Sequence, residues 1–523
     1  MNASADADVI IIGGGHNGLA CAASLCKAGL RTLVVECNDW LGGATGTHEV
    51  TLPGFRHDRF GSSHVWLHAN PWFREFLPEL REHGLEYLWA EDQITGHPTC
   101  NGPGIIIYKD VDKTCDSIAA YSSADARRYR EIYDGFVEIK DGFIKGMFSP
   151  PAPPSFLPMV MQNSPAGLRM LRDYNLSARA FVEENFEHPE VRNVILGWAL
   201  APQITPDQEA VGQTFYIMIP AIHVYGQAIP KGGSQMLAEA LAAYVRAHGG
   251  EVLTGAGGER IVARDGEAHG VRLEDGRELR ASRAVVSALD PRQTFLKLVD
   301  PEWLDDSTIR MAKSFSFGNI GVFRSHYALN EPPRFRNGDD ISATSFQRIF
   351  YSVADTRAHY ADIAMGVPPR NPFLWTACWT LTDPSRAPDG KHTFIIDTFV
   401  PNTLRGGADW GDVKHDFAER LLDKLREFTT NMDGDVGEGN LLAEYIDTPV
   451  TIEHANRCLV GGSTTGGDRT LSQTGYFRPL PGYSQYRGPL KRMYLTGASC
   501  HPGGGITAMG MVTANEIIKD LGI

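Results

Sequence analysis

The tightest constraint on this chain lies in its first forty residues. Residues 8–12, Asp-Val-Ile-Ile-Ile, are short, apolar and β-branched, which predicts a strand buried on both faces. Gly13-Gly14-Gly15-His16-Asn17-Gly18 follows directly. Then come an Ala- and Leu-rich stretch over 19–28, Gly29, and a second apolar run that ends at Glu36. The spacing predicts a β–α–β unit of close to minimal length. Gly13 suits the tight turn, Gly15 lets a pyrophosphate approach the backbone, and Gly18 lets helix and sheet close together. The helix N-terminus would offer free N–H groups and a favourable dipole to phosphates. His16 and Asn17 sit inside that loop, and Glu36 stands where an acid accepts hydrogen bonds from a ribose. A glycine-rich connector without a nucleotide is the alternative. The strand before the loop, the helix after it and the acid at the second strand's end argue against that alternative.

Composition narrows the class. The 523 residues include 55 glycines, an excess that suggests many tight turns and close backbone approaches. Lys and Arg total 49 against 63 Asp and Glu, a net charge of −14. Basic patches are short, such as Lys491-Arg492, so no nucleic-acid partner is expected. The cysteines (Cys21, Cys26, Cys37, Cys100, Cys115, Cys378, Cys458 and Cys500) are irregularly spaced and form no CxxC. They read as thiols of a reducing compartment, with a cytoplasmic location expected. No run of 18 apolar residues predicts a spanning helix, and the apolar stretch at 9–12 runs straight into glycines, unlike a signal peptide.

Helical patterning covers about 122–146 and 166–197, with strands at 84–89 and 103–108. The proline-rich segment 149–158 predicts a stiff extended loop. Ser234 is expected to cap a helix through Tyr244 or His248. A strand at 251–254 precedes a meander of 259–264, 269–274 and 277–280 around an Asp275-Gly276 turn, then a separate strand at 283–287. Runs at 315–325, 344–351, 371–380 and 392–400 alternate like a second, open sheet. A helix over 413–428, a strand at 493–496, the loop 497–505 and a helix through Lys519 complete the pattern.

Several of these segments carry a family likeness: the loop 13–18 with Glu36, Leu41-Gly42-Gly43, Ile229-Pro-Lys-Gly-Gly-Ser234, Met493-Tyr-Leu-Thr-Gly497 and His501-Pro-Gly-Gly-Gly505. Together they resemble the flavoprotein oxidoreductases of the phytoene desaturase and carotenoid isomerase group, especially its branch of pyridine nucleotide-disulfide oxidoreductase domain-containing proteins. The resemblance implies an α/β fold, with a Rossmann-like FAD-binding domain of the glutathione reductase type and an interleaved α+β substrate domain. It implies a discontinuous FAD-binding domain over 1–80, 229–300 and 450–523. A substrate-binding domain with a helical subdomain would take 81–228 and 301–449. By the same likeness, the first glycine loop holds the FAD diphosphate and Glu36 the ribose. Gly42, Gly43, Ala44 and Thr45 lie near the ribityl and flavin, and the backbone near Glu259 and Arg260 meets adenine. Gly497 returns to the diphosphate, and Pro502, Gly503, Gly504, Gly505, Ile506 and Thr507 approach the isoalloxazine. A helix start there would stabilise negative charge on reduced flavin.

No second GxGxxG for a nicotinamide cofactor is present, since Gly255-Ala-Gly-Gly258 lies in a different context. Oxygen or a quinone is therefore the expected electron acceptor. His501 and His64 are the candidate proton handlers, with a loop-orienting hydrogen bond the alternative for His501 and polar packing for His64. No metal site is expected. Tyr216, His223 and Tyr225, and Phe373, Trp375 and Trp379 on alternate strand positions, either line a pocket for a long or ring-bearing hydrophobic substrate or build the domain core. The leading function is FAD-dependent dehydrogenation or desaturation of a hydrophobic small molecule, such as a polyene or isoprenoid. Redox-neutral polyene isomerisation, amine oxidation and a non-catalytic FAD-stabilised interaction protein are the alternatives. Peripheral membrane contact, for instance through 156–161, and a homo-oligomer are compatible with the composition.

Overall fold

The computed structural model describes residues 5–100 and 102–523. The N-terminal unit forms as expected: β1 (Ala7–Ile12), α1 (His16–Lys27) and β2 (Thr32–Val35). β1 runs parallel to β2 on one side and to the strand Glu278–Ser287 on the other. The full sheet has seven strands. Glu251–Leu253 flanks β2, Met493–Leu495 pairs with Glu278–Ser287, and the meander Gly258–Arg264, Glu267–Leu273 extends the opposite edge. The period of two along β1 divides its side chains between two cores. Val9 and Ile11 pack with Leu19, Leu237, Leu241 and Met511 beneath three helices. Ile10 and Ile12 pack with Val271, Phe295 and Leu298 on the other face.

Three expectations change. The segments 277–280 and 283–287 are one strand, Glu278–Ser287. Its first half pairs antiparallel in the meander and its second half parallel with β1, so the polar residues at its middle mark a change of partner rather than a break. Ser234 precedes the helix Gln235–Ala247 without capping it, because its hydroxyl is bonded to Asp58 and His64 instead. The proline-rich loop ends at Ser155. Phe156–Met161 is a short helix with Pro158 in its first turn, where a missing N–H leaves no carbonyl unpaired. Phe156, Leu157, Met159 and Val160 on that helix are all exposed. Among the described residues no helix is long and apolar enough to cross a membrane.

The second sheet also has seven strands, in the order 441–447, 320–329, 392–401, 374–377, 346–349, 93–97 and 105–108. One face packs through Phe323, Leu374 and Phe394 onto the helix Trp410–Arg426. The other carries a cross-strand row, Arg348, Trp375, Asp397, Arg324 and Asp447. That face turns toward the helices Pro189–Ala199 and Met218–Tyr225 and toward Trp40, Ala44 and Phe60, all in one apolar cluster.

Candidate functional site

A cleft of about 530 Å³ opens at the carboxyl ends of β1 and β2, where parallel α/β sheets bind ligands. Gly13, Gly15, His16, Asn17, Gly18, Glu36, Gly43, Ala44, Glu259, Arg260 and Gly497 line it. The glycines divide their work as the spacing suggests. Gly13 has φ +109°. A Cβ on Gly18 would lie 2.1 Å from the Gly13 carbonyl oxygen, so only glycine lets α1 sit this close to the turn. A Cβ on Gly15 would meet nothing nearer than 3.8 Å, which leaves the cleft side of the loop open. The His16 amide donates to the Gly42 carbonyl at 3.2 Å, and the amides of Asn17 and Gly18 lack the acceptors a preceding turn would supply. Glu36 is held from behind: its carboxylate accepts from the amides of Gly14 at 2.7 Å and Asn38 at 2.9 Å.

Two buried polar atoms in this lining have no partner, His16 Nε2 and Asn17 Oδ1. Burial lowers the His16 pKa to about 4, against the opposing effect of the Gly42 and Gly505 carbonyls, so the ring is neutral near pH 7. An open glycine loop, helix amides, an aligned acid and two orphaned polar atoms fit a dinucleotide. The residues present therefore suit FAD, with the helix start for its diphosphate and Glu36 for a ribose. Leu289, Gln293, Lys297, Asn456 and Arg457 also line the cleft and were missed from sequence. They come from a turn after the third parallel strand and from a segment before the last one, with no local motif.

The loop 502–507 lies outside this lining and meets it from the far end. Ile506 packs where a Gly61 Cβ would be, Gly505 faces Trp66, and the Gly61 amide donates to the Ala44 carbonyl at 3.0 Å. Thr45 is turned inward, its hydroxyl donating to the Gly42 carbonyl. Of two arginines unforeseen from sequence, Arg469 holds the loop and Arg478 holds the segments beside it. Arg478 donates to the carbonyls of Thr465 (2.5 Å) and Ala498 (3.0 Å), and Arg469 reaches those of Pro502 and Gly504. Burial lowers their pKa values to about 9 and about 10.

His501 donates from Nε2 to the Gly146 carbonyl of the helix Ser123–Met147 at 3.1 Å. Burial lowers its pKa to about 4. His64 has both nitrogens engaged, with the Tyr87 hydroxyl at 2.8 Å and the Ser234 hydroxyl at 3.2 Å, and burial holds it neutral. Its neighbour Asp58 belongs to a buried network with Arg386, Asp383, Thr47 and the Ser234 amide, which fixes the segment 230–234.

The aromatic candidates separate into two groups. Phe373, Trp375 and Trp379 share the inner face of the second sheet, although only Trp375 lies within the strand Leu374–Ala377. Trp375 packs edge-on against Phe399 at 4.8 Å, and Trp379 stacks on Phe346 at 6.0 Å. Tyr216 and His223 are tied into the helices instead: Tyr216 donates to Asp173, and His223 pairs with the Tyr129 hydroxyl at 2.6 Å. Tyr225 is half-buried against the other core of the first sheet.

The model of the family of flavin-containing amine oxidoreductases matches residues 18–512. One of the subunits of limonene dehydrogenase from Castellaniella defragrans is 29% identical, covering 99% of this chain and 95% of its own. Pyridine nucleotide-disulfide oxidoreductase domain-containing protein 2 of Mus musculus is 28% identical, covering 98% and 94%. Similar identities to two differently named relatives set no single branch apart. Among solved structures, an oxidoreductase from Methanosarcina mazei superposes with a TM-score of 0.62 at 18% identity, covering 98% of this chain and all of the other. That likeness supports the fold: a Rossmann-like FAD-binding domain joined to an α+β substrate domain. The chain belongs to the family of flavin-containing amine oxidoreductases and is an FAD-dependent oxidoreductase.

Proposed function

We propose that the chain oxidises a small hydrophobic molecule held between the inner face of the second sheet and the segments around Ala44, Phe60 and the loop 502–507. The observation that carries this reading is the makeup of that face. Phe373, Trp375 and Phe399 are contiguous with Trp40, Ala44 and Phe60 in one apolar cluster, and Ala44 also lines the cofactor cleft. The carboxylates on the face are committed. Asp397 accepts from Arg324 Nε and Nη2, both at 2.5 Å, and Asp447 accepts from Arg59. The wall therefore offers an aromatic surface with no unpaired carboxylate to an apolar substrate.

Bound in the cleft, FAD supplies the two-electron acceptor. The chain's own residues bind, orient and exclude water. The Gly13–Gly18 loop and Glu36 hold the cofactor, the aromatic face positions the substrate, and Arg469 and Arg478 place positive charge behind the 502–507 loop. Oxygen is the proposed final acceptor. The division into 1–80, 229–300 and 450–523 against 81–228 and 301–449 belongs to this proposal, residues 1–4 lying outside the described structure.

Two forms of the reaction have specific support. Removal of hydrogen from a carbon bonded to nitrogen follows the family match over 18–512. Removal of hydrogen from a terpene hydrocarbon follows the similarity to a component of limonene dehydrogenase. Anaerobic mixing of the FAD-loaded enzyme with two panels, aliphatic and aromatic amines and cyclic or open-chain terpenes, separates them by which panel bleaches the flavin absorption. Peroxide release with the bleaching donor on admitting air supports oxygen as acceptor. No bleaching by either panel, with FAD firmly bound, would overturn the reading.

A further inference from the structure

Arg348 is the unusual cation of the inner face. Only 6% exposed, it has no carboxylate within ion-pair distance among the described residues. Its Cζ lies 3.7 Å from the Trp198 ring centroid, 5.0 Å from that of Trp375 and 5.2 Å from that of Phe346. Its one hydrogen bond runs from Nη1 to the Gly197 carbonyl at 2.9 Å, and Nε is buried without a partner. The other arginines of this region, Arg59, Arg324 and Arg386, each hold an aspartate. The nearest carboxylate in its own cross-strand row, Asp397, is two strands away and taken by Arg324. Burial without a counter-charge lowers the Arg348 pKa to about 9.

Two neighbours share its predicament. Trp375 Nε1 and Trp379 Nε1 are buried and unpartnered, and Trp379 stacks on the same Phe346 ring that flanks Arg348. Arginine and indole nitrogens donate and cannot accept. Three buried donors with no acceptor are costly as they stand, and what they lack in common is an acceptor oxygen, best a negatively charged one. His97 does not supply it, because its Nε2 already accepts from Trp198 Nε1 at 3.1 Å.

We propose that Arg348, with the indole N–H groups of Trp375 and Trp379, forms the head-group site for the carboxylate of a hydrophobic acid whose apolar part lies along Phe373 and Phe399 toward Ala44. This rests on the reading that the inner face holds the substrate, and it narrows the substrate class to molecules carrying an acidic oxygen group remote from the reacting carbon. The aromatic rings around Arg348 keep the guanidinium in place while leaving its remaining N–H groups for the ligand.

The test uses the FAD-loaded enzyme and three probes of equal chain length: decanoate, 1-decanol and decylamine, titrated by calorimetry at pH 7.5. Decanoate is expected to bind about tenfold tighter than decanol or more. In Arg348→Gln that margin disappears while decanol affinity changes less than about twofold, and Arg348→Lys keeps part of it. Should Arg348→Gln lose its flavin or its fold, Trp379→Phe removes one donor and keeps the ring, and a reduced decanoate margin is expected there. Equal binding of decanoate and decanol to the wild type overturns the proposal and assigns water as the missing acceptor. Tightest binding of decylamine overturns it in favour of a cation cage. If no probe binds and no hydrophobic donor bleaches the flavin, the functional reading itself fails. If decanol binds or donors bleach the flavin while decanoate gains nothing, only the head-group assignment fails.

Discussion

Arg386 Nη1 donates to Asp58 Oδ2 across 2.6 Å, and each side chain is only 1% exposed. The pair joins the segment after the first glycine loops to a turn that leads into the strand 392–401 of the second sheet, and Arg386 also donates to Asp383 and to the Pro230 carbonyl. Burial alone would raise the Asp58 pKa. Arg386, the Thr47 hydroxyl and the Ser234 amide outweigh it and hold the carboxyl down at about 2.

Asp58→Asn is expected to destabilise the protein by about 3 kcal/mol, because it leaves a buried guanidinium with one aspartate instead of two. The wild type carries an acid signature of the same pair. A folded-state pKa below the unfolded value of 3.8 gives stability that is full above pH 3.8 and lost as pH falls toward 2, about 2 kcal/mol from this group. Denaturant midpoints across that range should show a smaller acid-dependent loss in the Asn variant. An equal loss in both would mean that Asp58 does not set it.

Gly18→Ala and Glu36→Gln should separate the two halves of cofactor binding. The alanine Cβ would fall 2.1 Å from the Gly13 carbonyl oxygen, so the turn and α1 must part and the protein should purify without flavin. Glu36→Gln keeps its shape but gives up charge-assisted bonds. FAD affinity should drop by about tenfold to a hundredfold, read as flavin released on dilution. Full flavin content in Gly18→Ala would contradict the placement of the diphosphate.

The first β–α–β unit and its glycine turn were legible because their logic is local. The alternation of Val9 and Ile11 with Ile10 and Ile12, and the glycine spacing after them, lie within one β–α–β unit. Ser234 was misread as a cap because the residues that claim its hydroxyl, Asp58 and His64, are about 170 positions away in sequence. Arg386 is 328 positions from Asp58, and the rings around Arg348 come from a helix and two strands. No periodicity encodes such pairings. His501 stood out by its position in a glycine-rich loop, but its hydrogen bond to Gly146 spans 355 positions and could not be read from that loop.

From that hydrogen bond we expect His501 to act as a positioning residue. With a pKa of about 4 the ring is neutral throughout the working range. It should contribute no limb near pH 6.5 to the rate of flavin reduction. His501→Ala is expected to cost about 1 kcal/mol of stability and to change the limiting reduction rate less than about threefold, with an unaltered pH profile. A loss of a hundredfold or more, with a changed profile, would show it to be a proton carrier instead.

The helix Phe156–Met161 presents four large apolar side chains to solvent: Phe156 at 51% exposure, Leu157 at 45%, Met159 at 55% and Val160 at 54%. A contiguous patch of this kind usually marks a contact surface, and an interfacial helix gains affinity from the apolar area it buries. The chain's net charge of −14 opposes attraction to anionic lipid, so the expected surface is a neutral one, held by apolar burial and insensitive to salt. The wild type should cosediment with phosphatidylcholine vesicles at low and high ionic strength alike. Serine at all four positions should weaken that binding by about tenfold or more, with flavin content unchanged because none of the helix's residues is buried or lines the cleft. If the wild type stays in the supernatant and gel filtration shows a dimer that the serine variant loses, the patch covers a second copy of the chain instead.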